Sequence, residues 1–394
     1  MKTHNIMSSI IKVIGVGGGG GNAVNHMYKK GIKGVDFAIC NTDSQSLSNS
    51  IIPEKIQLGK SLTEGRGSGN KPSVGYDAAI ENINDIKSLF SSNPKMVMII
   101  AGMGGGTGTG AAPVIARTAY EMGILTVAIV TIPFKNEGQR RIKQALEGVA
   151  EIEKYVDSLL VIDNEKLREM YGEFRISEAF SSADDILATT AKGIAETITV
   201  QDYINIDFAD VEAIMRRSGV AIMGTALGVG QNRALNATKE ALRSPLLNNN
   251  KLKGAQNILL NITSGDEVTM EEIGQITDYV QNSAGKDVDL IWGNGNDTSL
   301  DSKIRITIIA TGFTSNYSIN EKSYLDAEGI IKQQFKQDDK YLSLFFIDDE
   351  YSPNEIAEIV SLLSDLYKEI GGDELVIKGT NIYEKSKALE PKLI

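Results

Sequence analysis

The chain has a single cysteine, Cys40, and only two histidines, His4 and His26. One thiol cannot form an intrachain disulfide, so a reducing compartment fits best. One cysteine and two histidines do not make a common zinc site. Cys40 lies in an apolar stretch, where a packed core thiol is the plain reading. Cations are scarce as well: 40 Lys plus Arg against 51 Asp plus Glu gives a net charge of −11. A nucleic-acid backbone needs clustered cations, so nucleic acid is not expected as a partner. Small phosphate ligands are not excluded, because backbone N–H groups can hold them. Long hydrophobic runs are absent too. The strongest, residues 96–101 and 124–130, are far shorter than the ~20 residues that span a bilayer. Residues 1–9 carry no apolar signal core. The sequence is therefore expected to be cytoplasmic, with no direct membrane insertion.

Apolar residues make up 42% of the 394, and there are 39 glycines. That length suits two or three domains of roughly 100–200 residues each. The first half alternates apolar runs with helical patterns. Strands are expected at residues 10–16, 35–40, 95–101, 124–132 and 158–162. Helices are expected at 22–30, 74–89, 111–122 and 137–155. This rhythm predicts an α/β fold, a doubly wound sheet with helices on both faces. A long helical pattern at 177–199 reads as a connector. Strands at 221–229, 255–263, 288–292 and 303–311, with helices at 233–242 and 270–282, predict a second, smaller α/β domain.

Two glycine-rich turns follow apolar strands. The first is Gly15-Val16-Gly17-Gly18-Gly19-Gly20-Gly21-Asn22. Glycine lets a backbone approach a phosphate, and a helix N-terminus supplies N–H donors and a partial positive charge. The stretch also satisfies G-x-G-x-x-G, with Asp36 or Asp43 as the later acid, which admits a dinucleotide-binding oxidoreductase. A merely tight turn is the plain alternative. The second is Gly104-Gly105-Gly106-Thr107-Gly108-Thr109-Gly110. It offers a nest of backbone donors plus two hydroxyls. It holds no lysine, so it is not the common P-loop. Gly59-Lys60-Ser61 superficially matches that motif, but position 54 is Glu and the spacing fails. Two such loops after two parallel strands would converge on a polyphosphate.

The second loop resembles the signature of the tubulin/FtsZ superfamily, and in particular its bacterial division branch. The similarity continues through residues 11–25, Asn41-Thr42-Asp43, residues 101–116, Pro133-Phe134 with Glu137-Gly138, residues 205–211, and Ala310-Thr311-Gly312-Phe313. It covers about residues 10–315. The resemblance implies a Rossmann-like GTP-binding domain (10–175), a central helix (176–200) and a second domain (201–315). It implies GTP or GDP as ligand, with Mg²⁺ accompanying the nucleotide and no dedicated protein metal site. Gly18, Gly19, Gly20, Gly21 and Asn22 would line the nucleotide. Gly105, Gly106, Thr107, Gly108 and Thr109 would hold its phosphates. Glu137 and Arg141 would contact the ribose and phosphate side. Asn164 and Asp184 would hydrogen-bond guanine, and Phe180 would stack on it. Without the resemblance, Glu137 and Asp184 read as solvated helix charge.

Asp207 and Asp210 admit two readings. Their spacing before residues 211–215 is a helix-start signal, an N-cap followed by first-turn acid. The resemblance implies in addition that they enter the next subunit's nucleotide site and orient the attacking water, with Asn205 assisting. Polymerisation would then be head-to-tail and required for GTP hydrolysis.

Three departures from the family pattern stand out. Gly21 stands where Asn is frequent, and Gln201-Asp202-Tyr203 where Pro-Gly-Leu is usual. Past residue 315 no short tethering peptide is evident. After a linker (316–340), residues 341–380 instead read as a small folded βαβ-like module, followed by a tail (381–394). Its pattern is a strand at 342–347, a helix from Ser352-Pro353-Asn354-Glu355 to Gly371-Gly372, and a strand at 374–377. The module is a candidate docking site for a protein partner. The leading expectation is thus a polymerising GTPase of cell division. The alternative is a similar filament diverted to another role through that module. The oxidoreductase leaves the second glycine loop and residues 205–210 unexplained.

Overall fold

A computed structural model describes residues 9–32, 34–166, 207–244, 247, 252, 254–285, 288–313, 375–378, 381–384 and 392–393. It also gives the backbone of 176–199, with side chains at 183–195 and 198.

The apolar runs form the strands. β1 (Ile11–Val16), then β4 (Met96–Gly102) and β5 (Leu125–Ile132) are buried on both faces almost throughout. That is the pattern of parallel strands covered by helices on each side. Between β1 and β4 lie α1 (Gly17–Lys29), β2 (Val35–Asn41), α2 (Ser44–Asn49), β3 (Glu54–Gln57), α3 (Lys60–Thr63), α4 (Pro72–Glu81) and α5 (Ile83–Ser88). α6 (Thr107–Glu121) links β4 to β5, and α7 (Gln139–Glu153) links β5 to β6 (Ser158–Asp163). The long helix α8 (Ile176–Thr199) follows, then α9 (Phe208–Met215), β7 (Gly219–Gly228), α10 (Arg233–Leu242), β8 (Asn257–Ser264), α11 (Met270–Ala284), β9 (Asp289–Asn296) and β10 (Ile304–Thr311).

The sheet order is β3-β2-β1-β4-β5-β6-β7-β10-β8-β9. Strands β1 to β6 are all parallel to their neighbours. The order 3-2-1-4-5-6 is that of a doubly wound dinucleotide-type sheet, and its direction of winding reverses between β1 and β4. A ligand crevice is expected there, beyond the carboxyl ends of the strands. β10 pairs antiparallel with β7 and β8, while β8 and β9 are parallel, giving the smaller mixed α/β part.

Apolar cores hold these layers. One alternate set on β1, β4 and β5 (Ile11, Val13, Met98, Ile100, Val127 and Ile129) packs on Val24 and Met27 of α1 and on Ile186, Leu187 and Ile194 of α8. Met223, Leu259 and Ile309 of the second part join that same core, so α8 is shared by both parts. The opposite face of β8 and β10 packs on α10 and α11 through Ala237, Ile276, Ile306 and Ile308.

The structure corrects several expected boundaries. α1 begins at Gly17, not near residue 22, and α6 at Thr107, not residue 111, so both glycine turns are partly helical. The helix expected at 74–89 is broken at Asn82 into α4 and α5. Asn82 there accepts from Gly59 N at 2.8 Å and donates to Asp85 at 2.7 Å. Cys40 is fully buried, and burial pushes its thiol up to about 12, as a core thiol requires. The last described residues form a separate unit, a three-stranded antiparallel sheet of β11 (Leu375–Lys378), β12 (Asn381–Glu384) and β13 (Lys392–Leu393). The strand expected at 342–347 and the helix at 352–370 lie outside the described residues.

One buried carboxylate ties the first sheet half to the second. Asp157, 1% exposed, accepts from Thr126 N at 2.9 Å and from Arg217 N at 3.3 Å. It thereby joins the starts of β5, β6 and β7. Asp157→Ala strands the buried Thr126 amide and is expected to cost about 1–3 kcal/mol, read as a lower urea midpoint at unchanged slope. Asp157→Asn, which keeps one acceptor, is expected to lose less.

Candidate functional site

The winding reversal places the N-termini of α1 and α6 side by side. Gly17 opens α1 with φ 72°, and neither helix start has a side-chain cap. A Cβ at Gly17 would stand 2.9 Å from Gly108 N, and one at Gly19 3.4 Å from Gly102 Cα. The two backbones are therefore in contact. A Cβ at Gly20 would meet Ile100 O at 2.1 Å, and one at Gly108 would meet Gly102 O at 2.3 Å. These two glycines seat each helix on β4. Gly18, Gly21 and Gly105 face open space, with nothing within 4 Å of a Cβ. Uncapped amides of two helices thus face one opening, which suits an anion of several charges.

The threonine hydroxyls have partners within the protein. Gly104 N donates to Thr109 Oγ1 at 2.9 Å, and Thr109 is 5% exposed. The Thr107 hydroxyl is bonded to Thr42 Oγ1 at 2.7 Å and Ser68 Oγ at 3.0 Å. Both hydroxyls brace the loop, leaving its amides as the donors. Thr42 and Ser68 are site-bracing residues that the sequence reading did not single out.

The acids required by a dinucleotide reading are elsewhere. Asp36 is in register with Lys12 near the starts of β2 and β1, a strand's length from the glycine turn. Asp43 caps α2, accepting from Gln45 N at 2.9 Å and Ser46 N at 3.0 Å. Asp36 is at the wrong end of its strand for a ribose, and Asp43 is engaged in capping a helix.

Three further positions line the same carboxyl edge. Glu137 follows β5; its Oε1 accepts from Phe134 N at 3.1 Å, and its Oε2 accepts from Arg141 Nη1 at 2.9 Å. Asn164 directly follows β6, is 6% exposed, and its Oδ1 has no hydrogen-bond partner. A buried acceptor left open at the ligand edge of a sheet fits a donor on a bound molecule. Glu165, which no sequence pattern marks, accepts from Lys135 N at 3.1 Å and holds the β5–α7 loop.

Asp184 stands half-buried on α8. Burial pushes its carboxyl from an ordinary 3.8 to about 6, with His26 pulling it down and Asp185 pushing it up. Asp185 is also partly desolvated, but hydrogen bonds from Lys30 and His26 outweigh that and hold it below the usual carboxylate range. Phe180 lies near the start of α8, its side chain outside the described residues. Asn205 lies outside them altogether.

Asp207 and Asp210 form a reciprocal capping box on α9. Asp210 N donates to Asp207 Oδ1 at 3.0 Å, and Asp207 N to Asp210 Oδ2 at 3.3 Å. The helix-start reading of these acids is therefore correct. Both residues are also exposed, so their remaining lone pairs face outward.

A doubly wound sheet with two uncapped helix ends at its winding reversal defines a phosphate-binding α/β protein, here joined by one long helix to a smaller part. Residues 10–172 match the Tubulin/FtsZ family, GTPase domain, and residues 219–314 match the FtsZ family, C-terminal domain. The chain belongs to the Tubulin/FtsZ family. A cell division protein FtsZ from Porphyromonas gingivalis is 42% identical over 388 residues, covering 95% of this chain and 84% of that protein. One from Pseudomonas aeruginosa is 45% identical over 306 residues, 77% of each chain. The solved structure of an empty FtsZ dimer from M. jannaschii matches with TM-score 0.74 at 39% identity, covering 77% of this chain and 88% of that one.

The glycines separate ligand space from packing. Gly18→Trp is expected to fold with an unchanged melting temperature and lose nucleotide binding, because its side chain fills the open space at the α1 end. Gly20→Ala is expected to lose stability, because its methyl meets a strand carbonyl. Thermal melts together with binding of a fluorescent GTP analogue check both.

Proposed function

We propose that the protein binds and hydrolyses GTP, polymerises head to tail, and serves cell division at the division site in the cytoplasm. The observation that carries this is the pair of uncapped helix N-termini, α1 and α6, facing one opening at the winding reversal. The amides of 17–21 and 105–109 hold the phosphates. The open Asn164 Oδ1 accepts from guanine. Asp184, when ionised, accepts from the two N–H groups on one edge of that base, and Phe180 stacks on its face. Glu137 and Arg141, joined as an ion pair, border the ribose and phosphate side. A membrane anchor is not part of the proposal: among the described residues no helix is long and apolar enough to cross a membrane.

Hydrolysis needs an oriented water and stabilised phosphate charge more than covalent chemistry. Asp207 and Asp210 of the neighbouring subunit orient that water and accept its proton's hydrogen bond, with Asn205 assisting. Their exposure on α9 suits them to reach outside their own subunit. Mg²⁺ would arrive with the nucleotide, and when bound it would neutralise developing phosphate charge. The contact is heterologous, so it builds open filaments. The M. jannaschii neighbour is a dimer, which agrees with self-association. The P. gingivalis relative spans 95% of this chain, so its similarity reaches past residue 315. That favours the division role over a diverted filament.

Asp207→Asn and Asp210→Asn preserve the capping oxygens while removing charge. Each is expected to bind GTP normally, to melt within about 1 °C of the parent, and to lose about 100-fold in turnover. A large stability loss with proportionate loss of binding would assign the pair to capping alone. In the parent, specific turnover is expected to rise steeply above a threshold protein concentration.

The pH dependence follows from Asp184. Its raised pKa means the proton is held until about pH 6. Affinity for GTP is therefore full above that value and falls as pH drops through it, by up to tenfold per unit. Asp184→Asn is expected to bind GTP more weakly at neutral pH and to lose this part of the profile. Equilibrium titrations between pH 5 and 8 measure it.

A further inference from the structure

α1 and α8 meet beside Asp184, and one carboxylate joins them. Asp185 Oδ1 accepts from His26 Nε2 at 2.5 Å and from Lys30 Nζ at 2.5 Å. His26 lies in the last turn of α1, and Lys30, four residues on, caps its C-terminus on the same side. Two donors on different turns of one helix, converging on one oxygen of another, restrict both sliding and rotation between the helices. The side chains of Asp185 and Lys30 are 50% and 41% exposed, so the ion pairs themselves add little to global stability. Their value lies in placement. α1 presents the phosphate-facing glycine amides at its start, and α8 presents Asp184 directly next to Asp185.

We infer that His26, Lys30 and Asp185 are positioning residues for base selection, fixing α8 against α1 so that Asp184 meets the guanine edge while the phosphates sit at the α1 end. This rests on the base-reading role proposed for Asp184. The electrostatics act in the same direction. Asp185 is a like charge beside Asp184 and pushes its carboxyl toward the protonated form. Lys30 and His26 offset that charge. Among the described residues, other charged groups on neighbouring elements have their own partners: Lys12 with Glu54, Asp36 with the Ser9 amide, Arg117 with Glu121, and Lys192 with Asp297. Lys29 on α1 and Asp289 on β9 are exposed. His26 pulls the Asp184 carboxyl down while Asp185 pushes it up, and Lys30 pairs with Asp185.

The probes are GTP and ITP, which differ only in the 2-amino group that a carboxylate accepts from. Dissociation constants are measured on the full chain, by displacing a fluorescent nucleotide from pH 5 to 8. The parent is expected to prefer GTP by about tenfold, the size of one hydrogen bond to a charged group. His26→Phe with Lys30→Met is expected to erase most of that preference while ITP affinity stays within about twofold, and to move the loss of preference to higher pH. His26→Gln with Lys30→Arg, which keep both donors, restores it. Equal weakening of GTP and ITP would make the cluster a general brace and overturn the inference. So would an unchanged preference in the double variant while Asp184→Ala abolishes it. If the parent and Asp184→Ala both bind GTP and ITP alike, base reading by Asp184 itself is wrong, and the inference falls with it.

Discussion

The structure depends on the contact between two glycine backbones over the centre of one sheet. Gly17 of α1 and Gly108 of α6 come so close that a methyl group at the first would stand 2.9 Å from the second's amide nitrogen. Helix starts repel one another through their partial positive charges. Bringing two together without side-chain caps is unfavourable unless an anion lies between them. The parallel strands β1 and β4 impose the approach, and glycine permits it. The opening for an anion and the loop bracing by Thr107 and Thr109 follow from that one juxtaposition.

Much of this was legible in sequence, for identifiable reasons. Strands such as Met96–Gly102 are unbroken apolar runs, and their length excluded membrane spans while fitting buried parallel strands. The glycine turns announced a phosphate site because so many glycines in a row disfavour any regular element unless something compensates. The same logic misplaced the helix starts. Glycine's poor helix propensity put the beginnings of α1 and α6 about four or five residues too late. Tertiary packing overrides propensity there, since Gly108 and Gly20 are small so that each helix can seat on β4. Residues 44–63 carry no clear periodicity, and the short elements α2, β3 and α3 within them were not foreseen. Asp43 illustrates the difficulty: its position after β2 matched a ribose acid, while its side chain caps a helix.

The site was less legible than the fold, because its partners are distant in sequence. His26 and Asp185 are separated by 159 positions, and no local pattern links them. The role proposed for Asn164 rests on its following the end of β6 with an unpaired oxygen, which only the structure displays. At Asp207 and Asp210 the observed capping and the proposed water-orienting role fall on the same residues. A capping box uses one oxygen of each carboxylate and leaves the other available, so helix initiation and water orientation do not compete.

The central claim is that one subunit holds the nucleotide and the next supplies the carboxylates. It is tested most directly by mixing two inactive variants, Gly18→Trp, whose nucleotide opening is filled, and Asp210→Asn, whose outward carboxylate is lost. The account predicts GTP turnover in the mixture well above the sum of the separate proteins, because an intact opening on one meets an intact Asp210 on the other. Turnover that never exceeds that sum, although the variants co-assemble, would contradict a shared site and place hydrolysis within a single subunit.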